Sequence, residues 1–151
     1  MDNKICESDF NRNEKALLLE NQLCFPLYSA SRKIIRLYTP ILDKLNLTYT
    51  QYITMLALWE KDGIGVKDLG SRLYLDSGTL TPLLKKLESQ GLLNRIRDVS
   101  DERNVNVFLT DKGMKLKQQA LNVPAMISSC IDMQINDAIE LQRLLKIILN
   151  D

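Results

Sequence analysis

The sequence predicts a mainly α-helical chain with a small two-stranded β-wing, because two helix patterns and a pair of strand patterns follow one another between residues 64 and 109. A short helix pattern and a polar turn precede a longer helix pattern, and two strand patterns joined by a charged loop come next. This order is typical of a winged helix-turn-helix, in which the second helix enters the major groove of DNA. We therefore expect this segment to bind DNA.

The composition is that of one ordinary globular domain: 151 residues, of which 45% are hydrophobic and 26% charged. We expect residues 48–109 to form the winged-helix lobe of this single domain, and residues 1–47 and 110–151 to form dimerisation helices. The net charge of +1 indicates no partner, so affinity for DNA has to come from the local placement of charges.

The absence of histidine excludes Ser–His and Cys–His catalytic pairs and imidazole metal ligands. Three cysteines, Cys6, Cys24 and Cys130, are too few and too scattered for a disulfide scaffold or a zinc site. No stretch approaches the ~20 apolar residues of a membrane span, and the first residues lack the apolar run of a signal peptide. We therefore expect a cytoplasmic protein without a cofactor, a metal or a membrane partner.

The first helix is predicted from Leu23 onwards, where apolar residues recur every three or four positions. Pro26 is costly inside a helix, so the helix is either kinked there or begins near residues 22–25. The second alternative places Cys24 in or beside the first turn, a position that favours a thiolate.

A further short helical stretch is expected to open at Pro40 and to cover residues 41–47. Thr48 and Gln51 then form the capping-box pattern of the next helix. The buried side of that helix is predicted to consist of its regularly spaced apolar residues: Tyr52, Ile53, Leu56, Ala57 and Trp59.

The helix-turn-helix is predicted from two apolar stripes separated by a turn at residues 74–76. The second stripe consists of Leu80, Leu83, Leu84 and Leu87, and Gly91 ends that helix. Its opposite face is small and polar or basic: Ser77, Gly78, Thr79, Thr81, Lys85 and Lys86. Such residues can approach base edges and neutralise phosphates, which favours DNA contact over a merely solvated face.

The two strands of the wing are predicted at residues 92–98 and 105–109, and Arg95 on the first strand is a further candidate for DNA contact. The loop between them contains Asp101 and Arg103. An arginine at the tip of a wing can enter a minor groove, and a nearby carboxylate can hold it extended.

Thr110 and Asp111 cap a last helical region, which Pro124 interrupts. The segment from Ile135 onwards is apolar around most of its circumference, which is more than packing against one small core requires. We expect a second copy of the chain to cover the extra face, with the N-terminal helix alongside.

Four stretches carry a resemblance to a known family. They are LENQLCFPLYSASR (residues 19–32), LDKLNLTYTQYITMLALWE (42–60), LYLDSGTLTPLLKKLESQGL (73–92) and DERNV (101–105). Together they resemble the multiple-antibiotic-resistance (MarR) regulators, and the NQLCF stretch resembles their organic-hydroperoxide-sensing (OhrR) branch. The resemblance extends from residue 17 to about residue 125. It implies a transcriptional repressor rather than an enzyme, a two-fold dimer that binds a palindromic double-stranded operator.

The same resemblance implies roles for individual residues. Cys24 matches the cysteine that organic hydroperoxides oxidise, and Tyr38 and Tyr49 match tyrosines that hydrogen-bond it in the reduced, DNA-binding form. Cys130 lies where one subclass carries a cysteine that resolves the oxidised one across the dimer, and a small thiol is the alternative partner. Cys6 has no counterpart.

Two other functions remain open at this point. In the first, a small ligand switches the regulator without a covalent step, and Cys24 is simply a core residue, the usual place of a free cysteine. In the second, the chain is a thiol peroxidase, although it has neither a CxxC pair nor a thioredoxin-like βαβ pattern. From the residues alone, core or interface packing is the better explanation of Tyr38 and Tyr49.

Overall fold

A computed structural model of the chain describes residues 14–98 and 104–149. Its seven helices are α1 (Cys24–Leu42), α2 (Tyr49–Glu60), α3 (Val66–Leu73), α4 (Ser77–Ser89), α5 (Asp111–Ala120), α6 (Val123–Ser129) and α7 (Ile135–Leu149). Its strands are β1 (Ile64–Gly65), β2 (Leu93–Arg97) and β3 (Val105–Leu109). The predicted fold class is confirmed. Cys6, Asp101 and Arg103 lie outside the described residues.

Helix α1 begins at Cys24, as the second reading of Pro26 predicts. Pro26 lies in the first turn, where a missing N–H has no helical partner to lose. The prediction that a separate stretch opens at Pro40 is wrong, because α1 continues through Pro40 to its end. A proline in the last turn removes a single hydrogen bond and leaves the preceding turns intact. The 3-10 turn Asp43–Leu45 follows.

Helix α2 starts with the predicted capping box. The Thr48 hydroxyl oxygen accepts a hydrogen bond from the Gln51 backbone N–H at 3.3 Å, and the Gln51 side chain accepts one from the Thr48 backbone N–H at 2.8 Å. The cap satisfies two backbone donors that would otherwise be free at the start of the helix. It therefore fixes the first helical residue, Tyr49.

Helix α2 is buried on more sides than its sequence pattern predicts. Tyr52 and Ala57 are buried as expected, but Leu56 is exposed. Met55 and Leu58 are enclosed instead, with exposed fractions of 0% and 1%. Because α2 packs against α1, α3, α4, α5 and β3, no single apolar stripe marks its buried side.

The helix-turn-helix is formed by α3 and α4, as predicted. Between them Tyr74 has a left-handed backbone with φ of 54°, and the Leu75 N–H closes the turn on the carbonyl of Gly70 at 2.9 Å. All four leucines of the α4 stripe are buried. Gly91 lies two residues after the end of α4 and has a φ of 72°. Glycine adopts this left-handed conformation without strain, so the chain can turn away from the helix there.

The wing contains three strands rather than the predicted two. The antiparallel sheet has the order β1-β3-β2, and β1 contributes only Ile64 and Gly65, opposite Val107 and Asn106. A two-residue strand is too short to show an alternating pattern, so the sequence did not predict it. The arrangement leaves β2 at an edge of the sheet.

The last three helices leave an apolar surface uncovered. Thr110 caps α5 as predicted, and Pro124 lies in the first turn of α6. No residue of α7 is buried in the single chain, and Ile135, for example, is 76% exposed. Apolar residues before and at the start of α1 are similarly open, with Leu23 71% exposed.

Helix α5 approaches the wing at a glycine. A Cβ atom on Gly113 would lie 2.1 Å from the carbonyl oxygen of Leu92, so only glycine fits between α5 and the residue before β2. The Gly113 carbonyl also accepts a hydrogen bond from the Trp59 indole at 2.9 Å. This contact joins α2, α5 and the wing.

We predict that Gly113→Ala lowers the free energy of unfolding by about 2–3 kcal/mol, because the methyl group forces the backbone of α5 away from Leu92. Urea unfolding at a fixed protein concentration measures the change. Gly65→Ala is the matched control, since its Cβ would meet no atom closer than 3.5 Å. Equal stability of the two variants would contradict the prediction.

Candidate functional site

The first turn of α4 is held by its N-cap residue, Asp76. One carboxylate oxygen accepts the Thr79 backbone N–H at 2.8 Å, and the other accepts the Thr79 hydroxyl at 3.1 Å. These hydrogen bonds lower the pKa of the Asp76 carboxyl, the backbone N–H contributing most. Asp76 is therefore ionised at neutral pH and fixes the orientation of the polar helix start.

The predicted DNA-contacting residues of α4 lie on one side of the helix, opposite the buried leucines. Thr81 is half-buried, and the others are exposed: Ser77, Gly78, Thr79, Lys85 and Lys86. Within the described part of the chain, neither lysine is paired with a carboxylate. This face can therefore present hydroxyl groups and two uncompensated positive charges to a nucleic acid.

Gly78 has a structural role that the sequence pattern did not reveal. A Cβ atom there would lie 3.0 Å from a carboxylate oxygen of Asp76, so a larger residue crowds the cap. Pro82, one turn later, has no N–H to donate to the Gly78 carbonyl. The absent side chain at Gly78 thus serves the geometry of the helix start, in addition to any close approach of DNA.

Arg95 is engaged inside the chain. Its guanidinium donates to a carboxylate oxygen of Glu88 at 3.0 and 2.6 Å, and its backbone N–H donates to the other oxygen at 3.0 Å. Glu88 lies on α4, and Arg95 on the edge strand β2. The pair therefore fixes the angle between α4 and the wing, a role that the sequence did not predict.

Cys24 is an exposed free thiol at the first residue of α1. The side-chain amides of Asn21 and Gln22 donate to the carbonyls of Lys15 and Ala16 at 2.6 and 2.5 Å. These bonds fold the preceding segment into a turn, so that α1 begins at Cys24 and not earlier. The NQLCF stretch thereby places the thiol at the start of a helix.

Tyr38, Tyr49 and Tyr52 form a tyrosine cluster between α1 and α2. The Tyr38 ring lies 5.0 Å from the Tyr49 ring, edge to face, and 5.9 Å from the Tyr52 ring. Burial, followed by the neighbouring phenols, raises the pKa of Tyr38. Tyr38 is therefore a neutral hydrogen-bond donor at physiological pH.

The structure brings the predicted tyrosines together but does not bring them to the cysteine of the same chain. Cys24 and Tyr38 lie near opposite ends of α1, roughly 20 Å apart at the rise of an α-helix. Tyr52 was not predicted as part of the site. Its position one turn after Tyr49 on α2 was the available signal.

Cys24 lines neither of two surface clefts that the described residues form. One of about 1080 Å³ lies between α3, the start of α4 and the wing. The other, of about 840 Å³, lies between the end of α4, the turn after α1 and α5. Neither cleft provides a pocket around the Cys24 thiol.

Cys130 directly follows α6 as its C-cap. Its thiol is exposed and donates to the Met126 carbonyl at 3.2 Å. Helix α6 packs against α1, so the second cysteine is carried by a helix in contact with the helix that begins at Cys24.

Residues 14–98 and 104–149 contain no group of three or more Cys, Asp or Glu side chains placed to hold a metal ion. Across the same residues, none of the helices combines the length and the apolar character that crossing a membrane requires.

Residues 36–120 match the family described as transcriptional regulator SarA/Rot. The chain belongs to this family. It is 54% identical to the organic hydroperoxide resistance transcriptional regulator of Bacillus subtilis over 72% of this chain and 74% of that protein. It is 44% identical to the transcriptional regulator SarZ of Staphylococcus saprophyticus over 91% of this chain and 94% of that protein.

The fold is also similar to that of AbfR. Reduced AbfR bound to DNA superposes with a TM-score of 0.77 at 36% identity, over 91% of this chain and 94% of AbfR. The disulfide form of AbfR gives a TM-score of 0.62 at 37% identity, over 95% and 99% of the two chains. These relatives are regulators that bind DNA, not enzymes. The predictions of the family and of a redox-sensing transcriptional repressor are confirmed.

The contribution of the Glu88–Arg95 pair to the stability of the fold is expected to depend on pH. Hydrogen bonds from Arg95 lower the pKa of Glu88 below its ordinary value of 4.5. The pKa of Glu88 is lower in the folded state than in the unfolded state. The pair therefore stabilises the fold at pH values above the unfolded-state pKa. This stabilisation is lost as the pH falls through the folded-state pKa.

We therefore expect Glu88→Gln to be about 1 kcal/mol less stable than wild type at pH 7, since the pair is partly exposed. The difference should shrink as the pH falls through the folded-state pKa of Glu88, because the wild-type carboxyl is then also neutral. Urea unfolding over a series of pH values from 7 downwards measures it, with Glu20→Gln as the control. A deficit that does not change with pH would refute this account of the pair.

Proposed function

We propose that this regulator is a homodimeric, cytoplasmic repressor that binds a palindromic operator when reduced, and that organic hydroperoxides release it by oxidising Cys24. The observation that carries this proposal is the placement of Cys24. An exposed thiol stands at the first residue of α1, where an oxidant in solution can reach it. The similarity to an organic hydroperoxide resistance regulator supports the choice of oxidant.

The uncovered apolar surfaces support a dimer. Helix α7 buries none of its residues in one chain, and the residues around the start of α1 are open as well. A second copy of the chain would remove these surfaces from water and gain the associated hydrophobic free energy. The dimer is thus proposed to use residues 1–47 and 110–151.

A dimer also resolves the distance between Cys24 and the tyrosine cluster. If the two α1 helices lie antiparallel across the two-fold axis, the start of one helix reaches the end of the other. Cys24 of one subunit then meets Tyr38 and Tyr49 of its partner. In this arrangement the neutral Tyr38 phenol donates a hydrogen bond to the reduced sulfur.

The proposed reaction is a two-electron oxidation of sulfur. The Cys24 thiolate attacks the terminal oxygen of the hydroperoxide, the S–O bond forms, and the O–O bond breaks. The leaving alkoxide takes a proton from a tyrosine phenol or from water and departs as an alcohol. The sulfenic acid then condenses with Cys130 of the partner subunit or with a small thiol, forming a disulfide and releasing water.

The structural effect of Cys24 oxidation is proposed to be transmitted to the DNA-binding lobe through α2. Tyr49 is the first residue of α2, and α2 packs against both helices of the helix-turn-helix. Loss of the tyrosine contacts to the sulfur would shift the lobe, so that the recognition helices no longer match half-sites about one helical turn of DNA apart.

The proposed DNA contacts involve two parts of the lobe. In the major groove the contacting residues are those of the polar α4 face: Ser77, Gly78, Thr79, Thr81, Lys85 and Lys86. The wing loop with Asp101 and Arg103 is assigned to the minor groove. Arg95 is proposed to contribute by orienting the wing through Glu88.

We predict that cumene hydroperoxide weakens operator binding of the wild type by about tenfold or more, and that Cys24→Ser binds DNA but is not released. A gel-shift titration with and without the peroxide measures both. Because serine cannot be oxidised to a sulfenic acid, the variant lacks the reaction. If Cys24→Ser is released as readily as wild type, the sensing proposal fails and a non-covalently bound ligand becomes the better explanation.

We predict that oxidised wild type runs as a covalent dimer on a non-reducing gel and that Cys130→Ser runs as a monomer. The variant should still release DNA if a small thiol replaces Cys130. Cys6→Ser is the control and should still form the covalent dimer. A covalent dimer in oxidised Cys130→Ser would show that another cysteine resolves Cys24.

A further inference from the structure

We infer that Tyr52 is a positioning residue of the thiol sensor: its ring holds Tyr38, the proposed hydrogen-bond donor, in the orientation that the reaction with a hydroperoxide needs. This inference rests on the proposed function. Tyr52 itself is only 3% exposed, so the thiol of another subunit cannot reach it. Its effect must pass through the other members of the tyrosine cluster.

The geometry of the cluster carries the inference. Tyr38 is held between two rings, that of Tyr49 at 5.0 Å with an interplanar angle of 62° and that of Tyr52 at 5.9 Å with an angle of 41°. Both supporting rings come from α2, three residues apart and therefore on one face. Ring neighbours at two angles restrict the tilt of the Tyr38 side chain about χ1, and this tilt sets the position of the phenol oxygen, which lies on the axis of the ring.

Burial distinguishes the three tyrosines. Tyr38 and Tyr49 are partly exposed, as groups that meet a partner's thiol have to be, whereas Tyr52 belongs to the core formed by Met55, Leu58 and their neighbours. Tyr52 is therefore the point at which the open pair is anchored to the rigid part of the lobe. If the ring of Tyr52 were removed, Tyr38 would keep its contact with Tyr49 but lose its contact with Tyr52.

The ring of Tyr52, and not its hydroxyl group, is assigned this function. The contact to Tyr38 is between aromatic rings, and phenylalanine preserves such a contact. Methionine fills a similar volume without a planar ring and is tolerated in cores. The two substitutions therefore separate ring packing from general filling of the core.

The test compares Tyr52→Phe and Tyr52→Met with wild type in the full-length, reduced protein. The rate constant for oxidation of Cys24 by cumene hydroperoxide is measured by mass spectrometry of the Cys24 peptide, and alkylation of the same thiol by iodoacetamide is measured in parallel. A misplaced donor slows the peroxide reaction, which needs a proton for the departing alkoxide, more than alkylation, which does not.

We expect Tyr52→Met to lower the peroxide rate constant about tenfold, while its alkylation rate stays within about twofold of wild type. Tyr52→Phe should react like wild type. Leu58→Val, a change at another buried position of α2, is the control for mere loosening of the core and should retain the wild-type rate.

The inference is overturned if Tyr52→Met reacts like wild type, if Tyr52→Phe is as slow as Tyr52→Met, or if Leu58→Val is equally slow. It is also overturned if peroxide oxidation and alkylation slow in proportion. A wild-type Cys24 that reacts with cumene hydroperoxide no faster than free cysteine would sink the proposed function itself, so that the two failures are distinguishable.

Discussion

The packing of α2 against the helices around it is the interaction on which the rest of this structure depends. Its first residues belong to the tyrosine cluster, and its middle, at Met55 and Leu58, lies in the core that receives the leucine stripe of α4. Cores are close-packed and do not deform continuously. A change in the contacts of Tyr49 or Tyr38 can therefore be transmitted through the packing of α2 to α4, the helix proposed to contact DNA.

Hydrogen bonds within the lobe set the geometry of its outer surface. Asp76 fixes the start of α4, and Glu88 fixes the wing relative to α4. Both carboxylates are held by donors of the chain itself, and their pKa values are lowered for that reason. The neighbouring Lys85 and Lys86 are left without a carboxylate partner among the described residues, so the positive charge of this face is available to phosphates.

Under the proposed function, one chain alone does not bring together the groups of the sensor site. The thiol of Cys24 stands at one end of α1, and the tyrosine cluster stands at the other end, with apolar surfaces uncovered at both the N-terminal and C-terminal helices. A two-fold partner would bring these features together. In the proposed dimer, the contacts that stabilise the interface also form the environment of the Cys24 thiol. Oxidation of the thiol would therefore change the relative arrangement of the two subunits.

Local features of the sequence were sufficient for most elements. The capping box at Thr48, the N-cap at Thr110 and the leucine stripe of α4 were predicted correctly, because the residues that determine each feature are close in sequence. Two predictions from local sequence patterns were wrong. The last turn of α1 includes Pro40, which was expected to open a separate helix. Leu56 was expected to be buried but is exposed, because burial on α2 depends on neighbouring elements on several sides.

The sequence by itself determined the starts of α2 and α5 and the leucine stripe of α4, and through Pro26 it left two alternatives for α1, one of which places Cys24 at the start of the helix. Only the tertiary structure decided which residues meet across elements: the Glu88–Arg95 pair, the third strand and the contact of Tyr52 with Tyr38. It also decided that Cys24 and the tyrosines of one chain stay apart. The reason is physical, since such contacts depend on packing between distant segments, and a sequence pattern records only the periodicity within each segment.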